Sequence, residues 1–176
     1  LNRLTLWLAL VGVVLTVSYP FMKRFHHLPQ AHLGLAFGWG IPMAYAAVTE
    51  SVPMTAWWLF IANIAWVMVY DTVYAMSDRE DDLKIGLKSS AILFSEWDKR
   101  MVAVFQILTL VLMLWIGLPN EMNWIYYVSL LMGACFFLYQ QYLIHDRDRY
   151  RCFDAFMNNN GFGLTVFCGI VLIYLP

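Results

Sequence analysis

Six apolar stretches, each close to the length of a membrane-spanning helix, dominate the sequence and limit the fold that it can adopt. A bilayer core of about 30 Å is crossed by about 20 apolar residues in helical form. The sequence therefore predicts an all-α, polytopic transmembrane helix bundle, in a single domain over residues 1–176. The predicted spans are Leu4–Met22, His32–Val48, Ala56–Met76, Met101–Leu118, Trp124–Ile144 and Gly161–Leu175.

Composition agrees with a membrane protein. Hydrophobic residues make up 61% of the chain and charged residues 13%, whereas soluble domains carry about 25% charged residues. The lipid bilayer is therefore a predicted partner. The chain has no basic tail, so nothing indicates a nucleic-acid partner.

Basic residues alternate from one connection to the next. The first, third and fifth connections contain every lysine and arginine except Arg3, whereas the second and fourth contain Glu50 and Glu121 and no base. The positive-inside rule places the basic connections in the cytoplasm and both chain ends on the other side. The basic residues concerned are Lys23, Arg24, Arg79, Lys84, Lys88, Lys99, Arg100, Arg147, Arg149 and Arg151.

An acidic run follows the third apolar stretch. On a helix, Asp71, Tyr74, Asp78 and Asp82 fall on one stripe, because spacings of three, four and seven return to one face. Two carboxylates about 4 Å apart oppose each other by roughly 4 kcal/mol at an effective dielectric near 20. Mg²⁺ would offset this repulsion, since it prefers hard oxygen ligands and leaves room for substrate phosphates. The alternative is a solvated acidic loop at the membrane surface.

Other polar residues near this run each have two interpretations. Asn63 lies on the same stripe and could face a cavity or make an interhelical hydrogen bond. Lys84 and Lys88 could bind a diphosphate or set the topology. Arg24, beside Lys23, could bind a carboxylate or phosphate, or a lipid headgroup.

Several features have mainly structural interpretations. Gly34-x-x-x-Gly38 predicts close helix packing, and Pro42 predicts a kink. Residues 158–161, Asn-Asn-Asn-Gly, are interpreted as a local cap for the last helix. Residues 147–151 are interpreted as a solvated loop facing lipid headgroups.

The motifs together resemble the UbiA superfamily of intramembrane prenyltransferases, in the branch whose acceptor is 4-hydroxybenzoate. Residues 70–94, YDTVYAMSDREDDLKIGLKSSAILF, resemble the second aspartate-rich motif of that family and its Gly-x-Lys-Ser continuation. Residues 19–30 (YPFMKRFHHLPQ), 33–53 (LGLAFGWGIPMAYAAVTESVP) and 152–163 (CFDAFMNNNGFG) are also similar to it. The resemblance covers essentially the whole chain.

The resemblance implies a nine-helix fold with two aspartate-rich motifs on cytoplasmic loops. This chain has six predicted helices and the second motif, and it contains no Asn-Asp-x-x-Asp run. We therefore expect the first three helices and the first motif to be missing, and this chain alone to be inactive. The implied location is the bacterial inner membrane, and the implied pathway is ubiquinone biosynthesis.

The family reaction moves a prenyl chain from polyprenyl diphosphate to the ring of 4-hydroxybenzoate. By resemblance, Asp78 and Asp82 hold Mg²⁺, which acts as a Lewis acid on the leaving diphosphate. Asp71 either completes the metal site or accepts the phenolic proton, and Lys88, with Lys84, adds positive charge.

The remaining implied roles concern substrate binding. The faces of Tyr74 and Tyr70 shield the allylic cation. Arg24 binds the acceptor carboxylate, with diphosphate contact as its alternative role, and Lys23 and Asn63 are further substrate-binding candidates.

Three alternatives remain at this point. The first is another branch of the superfamily, with a naphthoate or haem acceptor. The second is a CDP-alcohol phosphatidyltransferase, but the Asp-Gly-x-x-Ala-Arg segment of that class is missing. The third is a non-enzymatic transport subunit, which we would expect to place charges deep in several helices.

Overall fold

The computed structural model describes residues 2–175, which form an all-helical bundle. Two passes are each built from consecutive helices, Pro29–Gly38 with Gly40–Thr49, and Ser90–Phe94 with Asp98–Gly117 through a 3₁₀ turn. The described residues therefore make six passes. This confirms the predicted fold class. The helices are α1 Arg3–Phe25, α2 Pro29–Gly38, α3 Gly40–Thr49, α4 Met54–Lys84, α5 Ser90–Phe94, α6 Asp98–Gly117, α7 Trp124–Leu143 and α8 Arg149–Tyr174, with the 3₁₀ turn at Ser95–Trp97.

Five of the six passes are long and apolar enough to span a membrane: Arg3–Phe25, Pro29–Thr49, Met54–Lys84, Ser90–Gly117 and Arg149–Tyr174. Helix α7 has 20 residues and coincides with the remaining predicted span. It also carries polar side chains inside the bundle, and its Gln140 is fully buried.

Helix α4 is the centre of the bundle and packs against α2, α3, α5, α6 and α8. Its packing on α2 depends on the two glycines that the sequence indicated. A Cβ atom on Gly34 would lie 3.1 Å from the Ile64 Cα atom, and one on Gly38 would lie 2.8 Å from Asn63 Nδ2. The prediction of close packing is therefore confirmed.

The second pass is interrupted about one turn before Pro42. Helix α2 ends at Gly38 and α3 begins at Gly40. Proline has no N–H group, so Pro42 cannot donate to the Gly38 carbonyl four residues earlier. The helical pattern lapses only at Trp39, whose backbone stays in the αR region (φ −62°, ψ −21°), so the kink at Pro42 stays a prediction.

The helix that carries the acidic run is longer than predicted. The apolar span was predicted to end near Met76, and the family resemblance implied a cytoplasmic loop for the motif, but α4 continues to Lys84. Glu80 and Lys84 are good helix formers, and Gly86 adopts a positive φ of 70° just beyond the end. The acidic motif therefore lies on a helix.

The last helix also begins earlier than predicted, at Arg149. Its N-cap is Asp148, whose side chain accepts a hydrogen bond of 2.9 Å from the Arg151 N–H group. The interpretation of residues 158–161 as a cap is wrong, because they lie inside α8. Asn159 is buried there and accepts a hydrogen bond of 3.3 Å from Trp66 Nε1.

Candidate active site

The first, third and fifth connections meet at one end of the bundle. The Lys88 N–H group donates to the Lys23 carbonyl (2.9 Å), and Lys88 Nζ donates to the Phe25 carbonyl (3.1 Å). Lys99 Nζ reaches the His145 carbonyl, which joins the third and fifth connections (2.7 Å). We call this end the basic end.

Three carboxylates of α4 face the basic end along one stripe. Asp71 and Asp78 are half-buried, and Asp82 is 5% exposed. Within residues 2–175, the Oδ2 atom of Asp82 is buried and has no hydrogen-bond partner. Asp71 and Asp82 both lie within electrostatic range of Lys23. The predicted stripe is present, and one of its oxygens lacks the partner that a buried carboxylate needs.

The structure does not gather these carboxylates into a complete set of metal ligands. In the described part of the chain, no three acidic, histidine or cysteine side chains converge as such a set. Asp71 lies seven residues before Asp78, a rise of about 10 Å along a helix. Asp78 and Asp82 fit Mg²⁺ as a partial set, because Mg²⁺ commonly takes one or two carboxylates and completes its shell with water and phosphates.

The loop after α4 is fixed above the stripe by a buried polar network. Gln30 Oε1 accepts a hydrogen bond of 3.0 Å from the Ser90 N–H group, and Thr72 Oγ1 lies 2.7 Å from Ser90 Oγ. Ser89 caps α5 by accepting from the Ile92 N–H group. These contacts hold Lys88 at the rim of the site.

The other basic candidates are more exposed. Lys84 pairs with Asp81 at 3.1 Å. Arg24 is exposed at the end of α1 and has no hydrogen bond or ion pair to any residue of the described chain. Its guanidinium is therefore available to a ligand.

Aromatic rings line the stripe from the side of α8. The Tyr74 ring centroid lies 5.1 Å from that of Phe156 and 6.5 Å from that of Phe153. Tyr74 lies one helical turn before Asp78 on α4, and the Tyr70 ring centroid lies 5.7 Å from that of Trp66. Both tyrosines predicted to shield a cation thus lie beside the carboxylates.

Asn63 lies in an apolar cavity of about 370 Å³ deeper in the bundle. The cavity is bounded by α3, α4, α6 and α8, and Trp66 and Phe162 form part of its wall. Asn63 Nδ2 is buried and has no partner among the described residues, so the interhelical hydrogen bond is not formed by that group. Eight helical residues, about 12 Å of rise, separate Asn63 from Asp71.

A second charged group at the basic end, one carboxylate shared by two arginines, is not evident in the sequence. Asp98 is fully buried and accepts from Arg147 Nε (3.0 Å), Arg147 Nη2 (2.8 Å), the Lys99 N–H group (2.6 Å) and Arg79. These bonds to Asp98 raise the pKa of Arg147 above its ordinary value. The Arg147 side chain is 33% exposed and is bonded to a buried carboxylate, a contact that the interpretation as a solvated residue did not include.

Arg149 is a site residue that the sequence did not indicate. Its Nη1 atom lies 2.9 Å from Asp81 Oδ2, and its Nη2 atom lies 3.9 Å from Asp78 Oδ1. About 68 residues of chain separate Arg149 from these acids, and no periodic pattern connects them. In the sequence, Arg149 was noted only as one of the ten basic residues of the connections, which predicted the membrane topology.

Comparisons with known proteins show the family of the chain. A family model described as the UbiA prenyltransferase family matches residues 1–162. A 4-hydroxybenzoate octaprenyltransferase of Serratia proteamaculans is 56% identical over 174 residues, which cover 99% of this chain and 60% of that protein. A 4-hydroxybenzoate octaprenyltransferase of Photobacterium profundum is 55% identical over 172 residues, 98% of this chain and 60% of that protein.

The fold comparison gives the same result. The apo structure of a UbiA homologue from Aeropyrum pernix superposes with a TM-score of 0.83 at 24% identity, over 99% of this chain and 66% of that one. The chain thus spans about 60% of the length of the curated relatives named here. With the family model covering most of its residues, the chain belongs to the UbiA prenyltransferase family.

Proposed function

We propose that this chain carries part of the active site of a Mg²⁺-dependent aromatic prenyltransferase. The donor would be a polyprenyl diphosphate, the acceptor 4-hydroxybenzoate, and the pathway ubiquinone biosynthesis. The observation that carries the proposal is the Asp78–Asp82 pair at the basic end, where a buried carboxylate oxygen has no partner. The names of the relatives favour 4-hydroxybenzoate over a naphthoate or haem acceptor.

Asp78 and Asp82 are the residues that would hold Mg²⁺. When bound, Mg²⁺ supplies Lewis-acid neutralisation of the charge that grows on the leaving diphosphate. Lys88 contributes from the rim, because its ammonium has three donors and only one is used by the Phe25 carbonyl. Lys23 and Lys84 add positive charge at the same end of the bundle.

Asp71 is proposed to accept the phenolic proton of the acceptor. It is separate from the Asp78–Asp82 pair, it is half-buried, and Lys23 lies within electrostatic range. Arg24 would bind the carboxylate of 4-hydroxybenzoate as a bidentate guanidinium, since the described chain leaves it without a partner. The two residues would then orient the ring for attack at the carbon ortho to the phenol.

The apolar cavity is proposed to take the first isoprenoid units of the donor. Its wall is almost entirely hydrophobic, and it lies deeper in the bundle than the carboxylates. Tyr70 and Tyr74 lie at the level of the carboxylates, where their faces would stabilise an allylic cation by about 0.5–2 kcal/mol each. The arrangement keeps the phosphates at the rim and the chain in an apolar environment.

The test is a prenyl-transfer assay with labelled polyprenyl diphosphate in membranes, run on this chain alone and on its whole reading frame. For the whole reading frame we expect label in 4-hydroxybenzoate, loss of transfer with EDTA, and loss of most activity in Asp78→Ala with insertion unchanged. For this chain alone we expect no transfer. Near wild-type turnover of Asp78→Ala at saturating Mg²⁺ would rule out its ligand role. Transfer only to a naphthoate or haem acceptor would reassign the acceptor.

We further propose that the protein is a multi-pass protein of the bacterial inner membrane with the basic end in the cytoplasm. All three basic connections meet there, as the positive-inside rule requires of one face. In a background with Cys135, Cys152 and Cys168 replaced by alanine, Glu80→Cys and Glu121→Cys should react with an impermeant maleimide from opposite sides of sealed vesicles. Labelling of both from the same side would contradict the orientation.

A further inference from the structure

Arg149 brings a cation from α8 to the acidic end of α4. Its two terminal nitrogens contact two different acids, Asp81 at 2.9 Å and Asp78 at 3.9 Å. Asp78 is a proposed metal ligand. The phosphate oxygens of a diphosphate bound to that metal would lie close to Asp78, and therefore close to the Arg149 Nη2 atom. The position is on the α8 side of the stripe, opposite the lysines of the α1 end.

The contacts orient Arg149 without occupying all its donors. A separation of 3.9 Å is too long for a hydrogen bond, so the Nη2 group keeps its N–H donors for a ligand. The Arg149 and Asp81 side chains are 56% and 48% exposed, and exposed ion pairs hold their partners weakly. A diphosphate, which carries more charge than one carboxylate, would therefore compete well for the guanidinium.

The backbone that leads into Arg149 is fixed by side-chain bonds, unlike that of a solvated loop. Two residues earlier, Arg147 is bonded through Nε and Nη2 to the buried Asp98. Arg79 of α4 bonds the same carboxylate, which ties the α7–α8 connection to the helix of the carboxylates. One residue earlier, Asp148 caps α8 through the Arg151 N–H group.

We propose that Arg149 is a further substrate-binding residue that hydrogen-bonds the diphosphate of the donor, and that Asp81 is its positioning residue. This assignment separates the acids of the motif by role: Asp78 and Asp82 serve the metal, whereas Asp81 serves Arg149. It rests on the proposed function, because it requires a diphosphate at the basic end.

The test measures binding of inorganic diphosphate with Mg²⁺ by calorimetry, on detergent-solubilised protein from the whole reading frame. Removing a charge-assisted hydrogen bond weakens binding by about tenfold or more, so Arg149→Gln is expected to raise Kd by about tenfold. Asp81→Asn is expected to raise this Kd about threefold. Arg149→Lys is expected to have a Kd between those of wild type and Arg149→Gln. Glu80→Gln, an exposed neighbouring acid, is the matched control and is expected to bind as wild type.

Kinetics provide a second readout. In Arg149→Gln the KM for polyprenyl diphosphate is expected to rise, while the KM for 4-hydroxybenzoate stays constant, a split that a general loss of structure would not produce. If Arg149→Gln fails to accumulate, Asp81→Asn carries the same prediction at its smaller magnitude. Wild-type affinity for diphosphate in both variants would overturn this inference alone, whereas a wild-type protein that binds no diphosphate would overturn the proposed function as well.

Discussion

Two buried carboxylates at the basic end differ in how completely they are partnered. Asp98 is fully buried and accepts bonds from Arg79, Arg147 and the Lys99 N–H group. Asp82 is nearly as buried, at 5% exposure, yet its Oδ2 atom has no partner in the described chain. The two carboxylates belong to neighbouring helices at the same end of the bundle.

The difference indicates different roles. A buried charge is costly unless it is paired, so a chain that retains one needs a compensating partner. Asp98 has its partners within the fold, and it joins α4, α6 and the α7–α8 connection. Asp82 has an acceptor left over, which fits a residue whose partner is a bound cation. The first is therefore interpreted as structural and the second as functional.

The largest predicted effect is on the structural carboxylate. Asp98→Asn leaves two arginines without their shared charge, and breaking a buried ion pair costs about 3–5 kcal/mol. We expect a large fall in Tm, measured by thermal unfolding in detergent. Asp82→Asn, measured without Mg²⁺, is the matched control and is expected to keep its Tm, because it breaks no ion pair. Equal losses in both variants would remove the distinction between the two carboxylates.

Raising the pH is not expected to reduce the stability that the ion pairs of Asp98 contribute. The pKa of Arg147 is raised above its ordinary value by its bonds to Asp98. A raised pKa contributes stability that is fully present below the unfolded-state value and is lost only as pH rises through the folded-state value. The contribution of Asp98, Arg79 and Arg147 to Tm is therefore expected to stay constant between about pH 7 and 9, because arginine stays protonated over this range.

The next effect is on activity. Asp82→Asn removes a proposed metal ligand and is expected to lower kcat/KM by about 100-fold, about 2.7 kcal/mol of transition-state stabilisation. The measurement is prenyl transfer at saturating Mg²⁺ by protein from the whole reading frame, and Glu80→Gln serves as control. A rate within a factor of about three of wild type would show that the unpartnered oxygen has no catalytic role.

A smaller effect is predicted for the second unpartnered group, Asn63 in the apolar cavity. Asn63→Leu removes a buried amide donor that has no bond, which is expected to raise stability by about 1 kcal/mol. The same change is expected to alter the KM for polyprenyl diphosphate, because the side chain borders the proposed chain-binding cavity. Lower stability of Asn63→Leu with an unchanged KM would contradict this prediction, because it would mean that the Asn63 side chain makes a stabilising hydrogen bond.

The smallest effect is predicted for the exposed Lys84–Asp81 pair. Both side chains are about half exposed or more, and such pairs contribute little. Lys84→Gln is expected to change Tm by no more than about 2 °C. A larger loss would mean that Lys84 supports the motif helix beyond this pair.

The fold could be predicted because it depends on patterns that run along the chain. Apolar stretches of the right length gave the six passes, and Gly34 and Gly38 gave one helix contact. The ends of α4 and α8 were misjudged because polar residues such as Glu80 continue a helix as readily as they form a loop. The shared helix face of Asp78 and Asp82 could also be predicted, because their spacing of four residues is close to one helical turn.

The cross-chain contacts could not be predicted. Asp98 and Arg147 are 49 residues apart, and Asp81 and Arg149 are brought together only when α8 packs on α4. Neither pair lies on a local period, and each residue by itself looks like an ordinary charge at a membrane surface. The partners of a charge are decided by tertiary packing, which a single sequence does not display.

The most direct test is a calorimetric titration of Mg²⁺, with inorganic diphosphate present, into wild-type protein and into Asp82→Asn and Glu80→Gln. Binding to wild type and Glu80→Gln, with affinity at least about tenfold weaker in Asp82→Asn, is the predicted result. Equal binding in all three proteins, or none in wild type, would contradict the account.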